Sequence, residues 1–323
     1  MITAPDFQKK QIIFVYFNDG EKMSILNDNI IVKDKDGTVK LQCTCYRVFL
    51  IYAIGYFSIT SAVVERAKKF GFFIACMTTS FRMYDIIGAK KEGNTLLKAK
   101  QYETERLDIA RKIVKNKMKN QRYVLMRNRN KTDEILESVK RIDEYLLKMD
   151  ATQTLYEITA YEGLTAKTYF KSHFDNVNWR GRCPRLKADY INSALDIGYS
   201  LLFTFVDCIA ESYGFDTYVG VLHRQFYLRK SLVCDLIEPF RVLIDWQTKK
   251  SVNLKQIQEA DFKLQNGQWR LKFENSKKYA KLFMQPLIEN KDEIFRYIQR
   301  YYNAFMKGCA GNDFPEFDIG SCL

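Results

Sequence analysis

The chain has 323 residues, 47% hydrophobic and 14% aromatic, enough to bury a sizeable core and, by length, to form two domains. Lysine and arginine outnumber aspartate and glutamate by 51 to 38, a net charge of +13 that points to a polyanionic partner such as nucleic acid. No basic stretch followed by an apolar one opens the sequence. The longest uncharged run, residues 48–64, falls short of the ~20 residues of a spanning helix, so a cytoplasmic chain without a membrane partner is expected. The eight cysteines form no Cys-x-x-Cys pair and read as reduced thiols. There is no phosphate-cradling glycine motif and no Gly-x-Ser-x-Gly elbow, so ATP-driven and acyl-transfer chemistry find no support.

Residues 1–87 read as β-rich. Short runs of Ile, Val and Phe at 11–17, 23–26, 30–33 and 39–43 are separated by Asn-Asp-Gly, Asn-Asp-Asn and Asp-Gly turns, a strong hairpin signal. The run at 48–64 predicts a buried strand, a turn and the start of a helix. Ser58 or Thr60 can cap that helix, which ends at Gly71, and two more strands follow at 72–77 and 81–87. Residues 88–94 are polar and bounded by glycines, and are expected to be a linker.

Beyond it the period becomes helical. One long helix is expected over 95–129. From 95 to 131 the sequence carries twelve Lys or Arg against three acids, so Arg111, Lys115 and Lys119 are candidate DNA contacts. Thr132 can cap a second helix. Asp150 or Thr152 can cap a third, which carries Glu162 and ends near His173, for which a surface place is expected. Residues 176–187 hold Arg180, Arg182, Arg185, Lys187 and Trp179 in a loop that Gly181 and Pro184 keep from being helical. Such a loop suits phosphate contact and base stacking. A buried helix follows over 188–213, with Asn192 near its start, where it could orient a ligand or cap a neighbour. Asn266-Gly267 sits between two strand-like runs and predicts a hairpin. A last helical region, bent at Pro286, covers about 276–306, and 308–323 reads as a flexible tail that could order against a partner.

The stretch 214–245 stands out. It contains His223, one of two histidines, then Asp235 and Glu238 one turn apart on a helix that Pro239 should end or kink. Two carboxylates with a nearby imidazole make a ligand set for a hard or borderline divalent cation.

Three stretches in this order resemble a known family. They are Tyr161-Glu162-Gly163 with Ala166 and Tyr169-Phe170; Asn192-Ser193-Ala194-Leu195 with Gly198-Tyr199-Ser200-Leu201-Leu202; and Leu222-His223 with Ser231-Leu232 and residues 235–241. Together they are similar to the CRISPR-associated integrase, the catalytic subunit of the spacer-acquisition complex. The resemblance implies an α+β fold, with a small β-rich N-terminal domain for dimerisation (1–87), a linker (88–94), a larger all-helical catalytic domain (95–307) and the tail. It implies that Glu162, His223 and Asp235 bind magnesium or manganese, with Glu238 a further acidic candidate, and that Asn192, Tyr199 and Arg241 support the site. It also implies transesterification, in which a DNA fragment's 3′-hydroxyl attacks a CRISPR repeat. The implied partners are double-stranded DNA, a second copy of the chain, and a small CRISPR-associated protein bridging two dimers. A hydrolytic metal-dependent nuclease and a non-catalytic DNA-binding scaffold are the alternatives.

Overall fold

The computed structural model describes residues 2–103, 106–175, 177, 179 and 181–321. A short helix, α1 (Ala4–Gln8), is capped by Thr3 and precedes β1 (Gln11–Phe17). An antiparallel meander follows, with β2 (Lys22–Leu26), β3 (Asn29–Lys33) and β4 (Val39–Thr44). Asn27 and Asp28 both adopt positive φ in the first turn, the conformation a two-residue hairpin requires. Next come β5 (Val48–Gly55), the two-residue β6 (Ser58–Ile59), α2 (Ser61–Phe70), β7 (Phe73–Met77) and β8 (Met83–Gly88). Thr60 and Gly71 bound α2, with Gly71 left-handed at φ 74°.

Two four-stranded sheets result, ordered β1-β5-β7-β8 and β4-β3-β2-β6. In the first, β1, β5 and β7 run parallel and β8 antiparallel. Strand β5 is buried along its whole length, as a central parallel strand must be. One face sends Val48, Ile51 and Ala53 into a core shared with the second sheet. The other sends Phe49, Leu50 and Tyr52 into the core of the helical part, where the Tyr52 hydroxyl donates to the Leu201 carbonyl at 2.9 Å. Phe7 stacks on Phe295 at 4.1 Å. The strand-rich and helical parts therefore share a core.

The expected helix over 95–129 is divided into α3 (Thr95–Glu103) and α4 (Leu107–Met126). The expected linker is tied down, because Lys91 N donates to the Glu211 carbonyl at 3.1 Å and Asn94 Nδ2 to that of Tyr213 at 3.0 Å. Thr132 caps α5 (Asp133–Met149). The cap of α6 (Leu155–His173) is Thr154, in a capping box with Glu157, in place of the expected Asp150 or Thr152. Asp189 caps α7 (Tyr190–Tyr213). This helix is long and apolar enough to cross a membrane, but 83% of its most apolar window is buried, so it is the central core helix. At Gly198 a Cβ would lie 2.4 Å from Ile244, so the helices approach there without a side chain between them.

Helix α8 (Ser231–Ile237) leads into a 3-10 turn, Glu238–Phe240, then α9 (Arg241–Asn253). The hairpin of β9 (Phe262–Gln265) and β10 (Gln268–Leu271) turns at Asn266-Gly267 as expected. Helices α10 (Ser276–Glu289) and α11 (Lys291–Lys307) follow; Pro286 lies inside α10, and the break falls at Asn290. The segment after Gly308, expected to be flexible, packs on the body with Phe314, Phe317 and Ile319 buried. Three apolar side chains spaced through it make burial more favourable than solvation.

Candidate active site

Four pieces of chain build the site: α4, α6, the loop before α8, and the turn after it. On α4, Lys117 lies four residues after Ile113 and four before Gln121, on the helix's buried stripe. Its ammonium forms ion pairs with Glu162 of α6 and with Glu238 of the 3-10 turn, the latter at 2.7 Å. Burial works against that charge, but Glu238 and Glu162 outweigh it and lift the pKa above the ordinary lysine value.

Glu238 is itself buried, and Arg241 donates to its Oε1 at 2.9 Å. Burial would raise its carboxyl; Arg241, Lys117 and the field of His223 hold it instead well below the usual carboxylate range. Oε2, although close to the ammonium, has no aligned hydrogen-bond donor among the described residues. Arg241 also lies 4.8 Å over the ring of Tyr199, whose hydroxyl donates to Asp245. Burial pushes the Asp245 carboxyl up to about 6, against the hydrogen bond from Tyr199.

Asp235 differs from expectation. It is fully buried, and its two oxygens accept from the backbone N–H groups of Val221, Leu222 and His223 at 2.6, 3.0 and 2.9 Å, and from His223 Nδ1 at 2.6 Å. An ionised carboxylate only accepts, so Nδ1 carries the proton, and it is the neutral form of the ring that presents a lone pair at Nε2. The loop can wrap the carboxylate because residue 220 is glycine: a Cβ there would lie 2.5 Å from Asp235 Oδ2. Asp235 thus orients the imidazole, and its lone pairs are already engaged. Among the described residues, no three of His, Cys, Asp and Glu stand as a ready metal site, which holds for the expected Glu162, His223 and Asp235 and equally with Glu238 in place of Asp235.

His173, expected at the surface, is fully buried with Nε2 3.1 Å from the Asp245 carbonyl and its ring stacked on Tyr169. The last turn of α6 faces α9 there, which the short-range pattern around residue 173 does not encode. Burial, aided by Lys249, lowers its pKa to about 3, so it is neutral.

The basic loop is held from α7. Asn192 Nδ2 donates to the Gly181 carbonyl at 3.0 Å, and its Oδ1 accepts from Cys183 N at 2.8 Å and Arg182 Nη1 at 3.0 Å. It anchors the loop. Arg182 is paired with Asp196 at 2.5 Å, Lys187 is half-buried, and Arg185 is exposed. Arg180 lies outside the described residues. Trp179, expected to be available for stacking, packs against Phe174 at 4.7 Å and donates to Asp189. Along α4, Arg111 binds Thr152, Lys115 pairs with Asp150 and Lys119 with Glu316.

Sequence reasoning missed Lys117, Gly220 and the loop 224–230. Lys117 was legible as a charge on an apolar stripe. In the loop, Phe226, Tyr227 and Leu228 are exposed and line an open cleft of about 530 Å³ with Arg185, Arg229 and Lys230. Lys230 anchors its end on buried Asp207 at 2.8 Å.

A profile of the family described as CRISPR associated protein Cas1 matches residues 14–285. The chain belongs to the Cas1 family. The CRISPR-associated endonuclease Cas1 of Leptospira interrogans is 34% identical over 214 residues, covering 61% of this chain and 82% of that protein. That of Rhodospirillum rubrum is 26% identical, covering 73% and 75%. Among solved structures, a Cas1 protein from Thermotoga maritima superposes with a TM-score of 0.78 at 20% identity, over 91% of this chain and 97% of that one. A casposase bound to its integration product gives 0.77 at 21%, over 96% and 95%. A chain of a Cas6-RT-Cas1–Cas2 complex gives 0.80 at 19%, over 96% of this Cas1 and 36% of that longer chain. These likenesses fix the fold: a strand-rich first part and a mostly helical second.

Proposed function

We propose that this Cas1 protein is a metal-dependent DNA endonuclease and integrase of CRISPR adaptation, joining 3′-hydroxyl ends of short DNA fragments to the CRISPR repeat by transesterification. The observation that carries the reading is that Glu162 and Glu238 converge on a single cation, the Lys117 ammonium, beside an imidazole fixed by a buried carboxylate. A pocket that already stabilises one positive charge between two carboxylates fits a divalent ion. Two carboxylates and one imidazole nitrogen suit magnesium or manganese. Glu162, Glu238 and His223 Nε2 are the groups that would hold it, with Asp235 fixing the ring's tautomer and direction. Glu238 therefore takes the role first expected of Asp235.

When bound, the metal supplies a lowered pKa for the attacking hydroxyl and neutralises charge on the phosphoryl group. The chain's residues do the rest. Arg241 holds Glu238 in its rotamer. Arg185 and Arg229 offer phosphate contacts, and Phe226 and Tyr227 offer stacking faces for unpaired bases, in the cleft lined by the loop that follows His223. Integration needs one attack on each strand. That supports a homodimer through residues 1–87, where β4 leaves a sheet edge, and a small CRISPR-associated protein bridging two dimers.

A branched DNA that mimics half-finished integration tests the reading. With manganese the protein should release the flap and extend the labelled strand carrying the 3′-hydroxyl, because the reaction exchanges one phosphodiester for another. If only shortened fragments appear, water is the nucleophile and the protein is a hydrolytic nuclease.

A further inference from the structure

The segment 309–321 is held by α4 through a regular set of contacts. Arg106 donates to the Cys309 carbonyl at 2.7 Å, and Gly311 sits so close to α4 that a Cβ would lie 2.6 Å from the Asp108 carbonyl oxygen. Glu316 pairs with Lys112 at 2.8 Å and with Lys119 at 3.0 Å. Phe317 is then read through its backbone: its N–H donates to Asn116 Oδ1 at 2.9 Å, and its carbonyl accepts from Asn116 and Asn120 amides at 2.8 and 2.9 Å. Ile319 N–H donates to Asn120 Oδ1 at 3.2 Å.

Asn120 has a second task. Its Nδ2 also donates, at 3.1 Å, to the carbonyl of Pro239, the residue after Glu238. The Phe317 ring packs on Phe240 at 4.7 Å. Lys117 and Asn120 lie one turn apart on α4. They grip the side chain of residue 238 and the backbone of residue 239, and the segment closes over the same turn. Both asparagines are buried, so the amide network is a committed part of the interior and not a surface decoration.

We propose that residues 311–321 form a positioning strap for the 3-10 turn, with Asn120 and Phe317 setting Glu238 against Glu162 for metal binding. The proposal rests on the reading of Glu238 as a metal ligand. Partners that orient ligating side chains change metal affinity about 10- to 100-fold when removed. The strap works on the backbone of the turn, so it sets where the carboxylate can be and not its chemistry.

The test measures manganese binding to the DNA-free full chain, from the loss of the free-ion paramagnetic signal, beside strand transfer over a manganese titration. Asn120→Ala and Phe317→Ala should each raise the manganese needed for half-saturation about tenfold or more. Near-normal strand transfer should return at high manganese, with KM for DNA unchanged, and Phe317→Leu should recover most of the affinity. General destabilisation would lower the active fraction without moving half-saturation. Adding Asn120→Ala to Glu238→Gln should shift binding no further than Glu238→Gln alone. If Glu238→Gln binds manganese like the unaltered chain, the ligand reading fails and the strap's purpose with it. If Glu238→Gln loses binding while Phe317→Ala binds normally, the strap alone is overturned. Should Asn120→Ala not fold, Gly311→Val lifts the segment far from the site while keeping both asparagines, and normal manganese affinity there overturns the proposal equally.

Discussion

The two histidines sit in opposite surroundings. His173 is sealed between α6 and α9, stacked on Tyr169, with burial lowering its pKa to about 3. His223 lies in the loop before α8 with one nitrogen tied to Asp235 and a side chain about one quarter exposed. Both rings are ordered, but by different means. Desolvation silences the first; a buried carboxylate with three backbone donors aims the second. Burial of an imidazole therefore says little about use, whereas a partner that fixes its tautomer says a good deal.

The comparison breaks most visibly by deletion. His223→Ala, Glu162→Gln and Glu238→Gln should each lower strand transfer about 10³-fold, while His173→Gln leaves it within a few-fold, measured on the branched substrate with melting curves as control. If His173→Gln were as inactive as His223→Ala while still folded, the division of roles would be wrong. Next in size is Asp235→Asn, which keeps shape but weakens the hold on the ring. About a 10- to 100-fold loss is expected, mostly in kcat, with a higher manganese requirement.

A third measurement addresses His173. Its folded-state pKa lies below the unfolded value of 6.5, so the unfolded chain takes the proton first. The stability contributed by the neutral ring is complete above pH 6.5 and is lost as pH falls toward 3. The loss has a slope of about 1.4 kcal/mol per unit from this group. His173→Gln should flatten that part of the denaturation-versus-pH curve, and an unchanged slope would mean that the ring protonates in the folded protein. The smallest effect concerns the cleft that Arg185 lines with Phe226 and Tyr227. Arg185→Glu should make the dependence of log affinity on log salt shallower by about 0.9 per lost duplex contact. Lys115→Glu should change it less, since Asp150 already pairs with Lys115.

The strands were legible because Asn-Asp and Asp-Gly turns cut apolar runs at lengths only strands fill, and Asn266-Gly267 marked its hairpin equally well. The family motifs brought forward Glu162, His223, Asp235 and Glu238. They did not separate ligand from orienting residue, because that depends on three backbone N–H groups which Gly220 lets converge on Asp235. Polarity also misled at both extremes. His173 is polar and buried, with Nε2 on the Asp245 carbonyl, and Trp179 in a basic loop is packed. The break between α3 and α4 has no proline or glycine to announce it.

One consequence concerns the order in which the molecule is made. Lys291 donates to the carbonyls of Gln8 and Lys10, 283 and 281 residues away, at 2.8 and 2.9 Å, beside the Phe7–Phe295 stack. The meander β2–β4 can form from neighbouring sequence as it leaves the ribosome, whereas α1 must wait for α11. Such distant pairing slows folding and leaves Phe7 without its Phe295 partner in the meantime. A nascent chain halted before residue 291 should therefore be the form most in need of a chaperone.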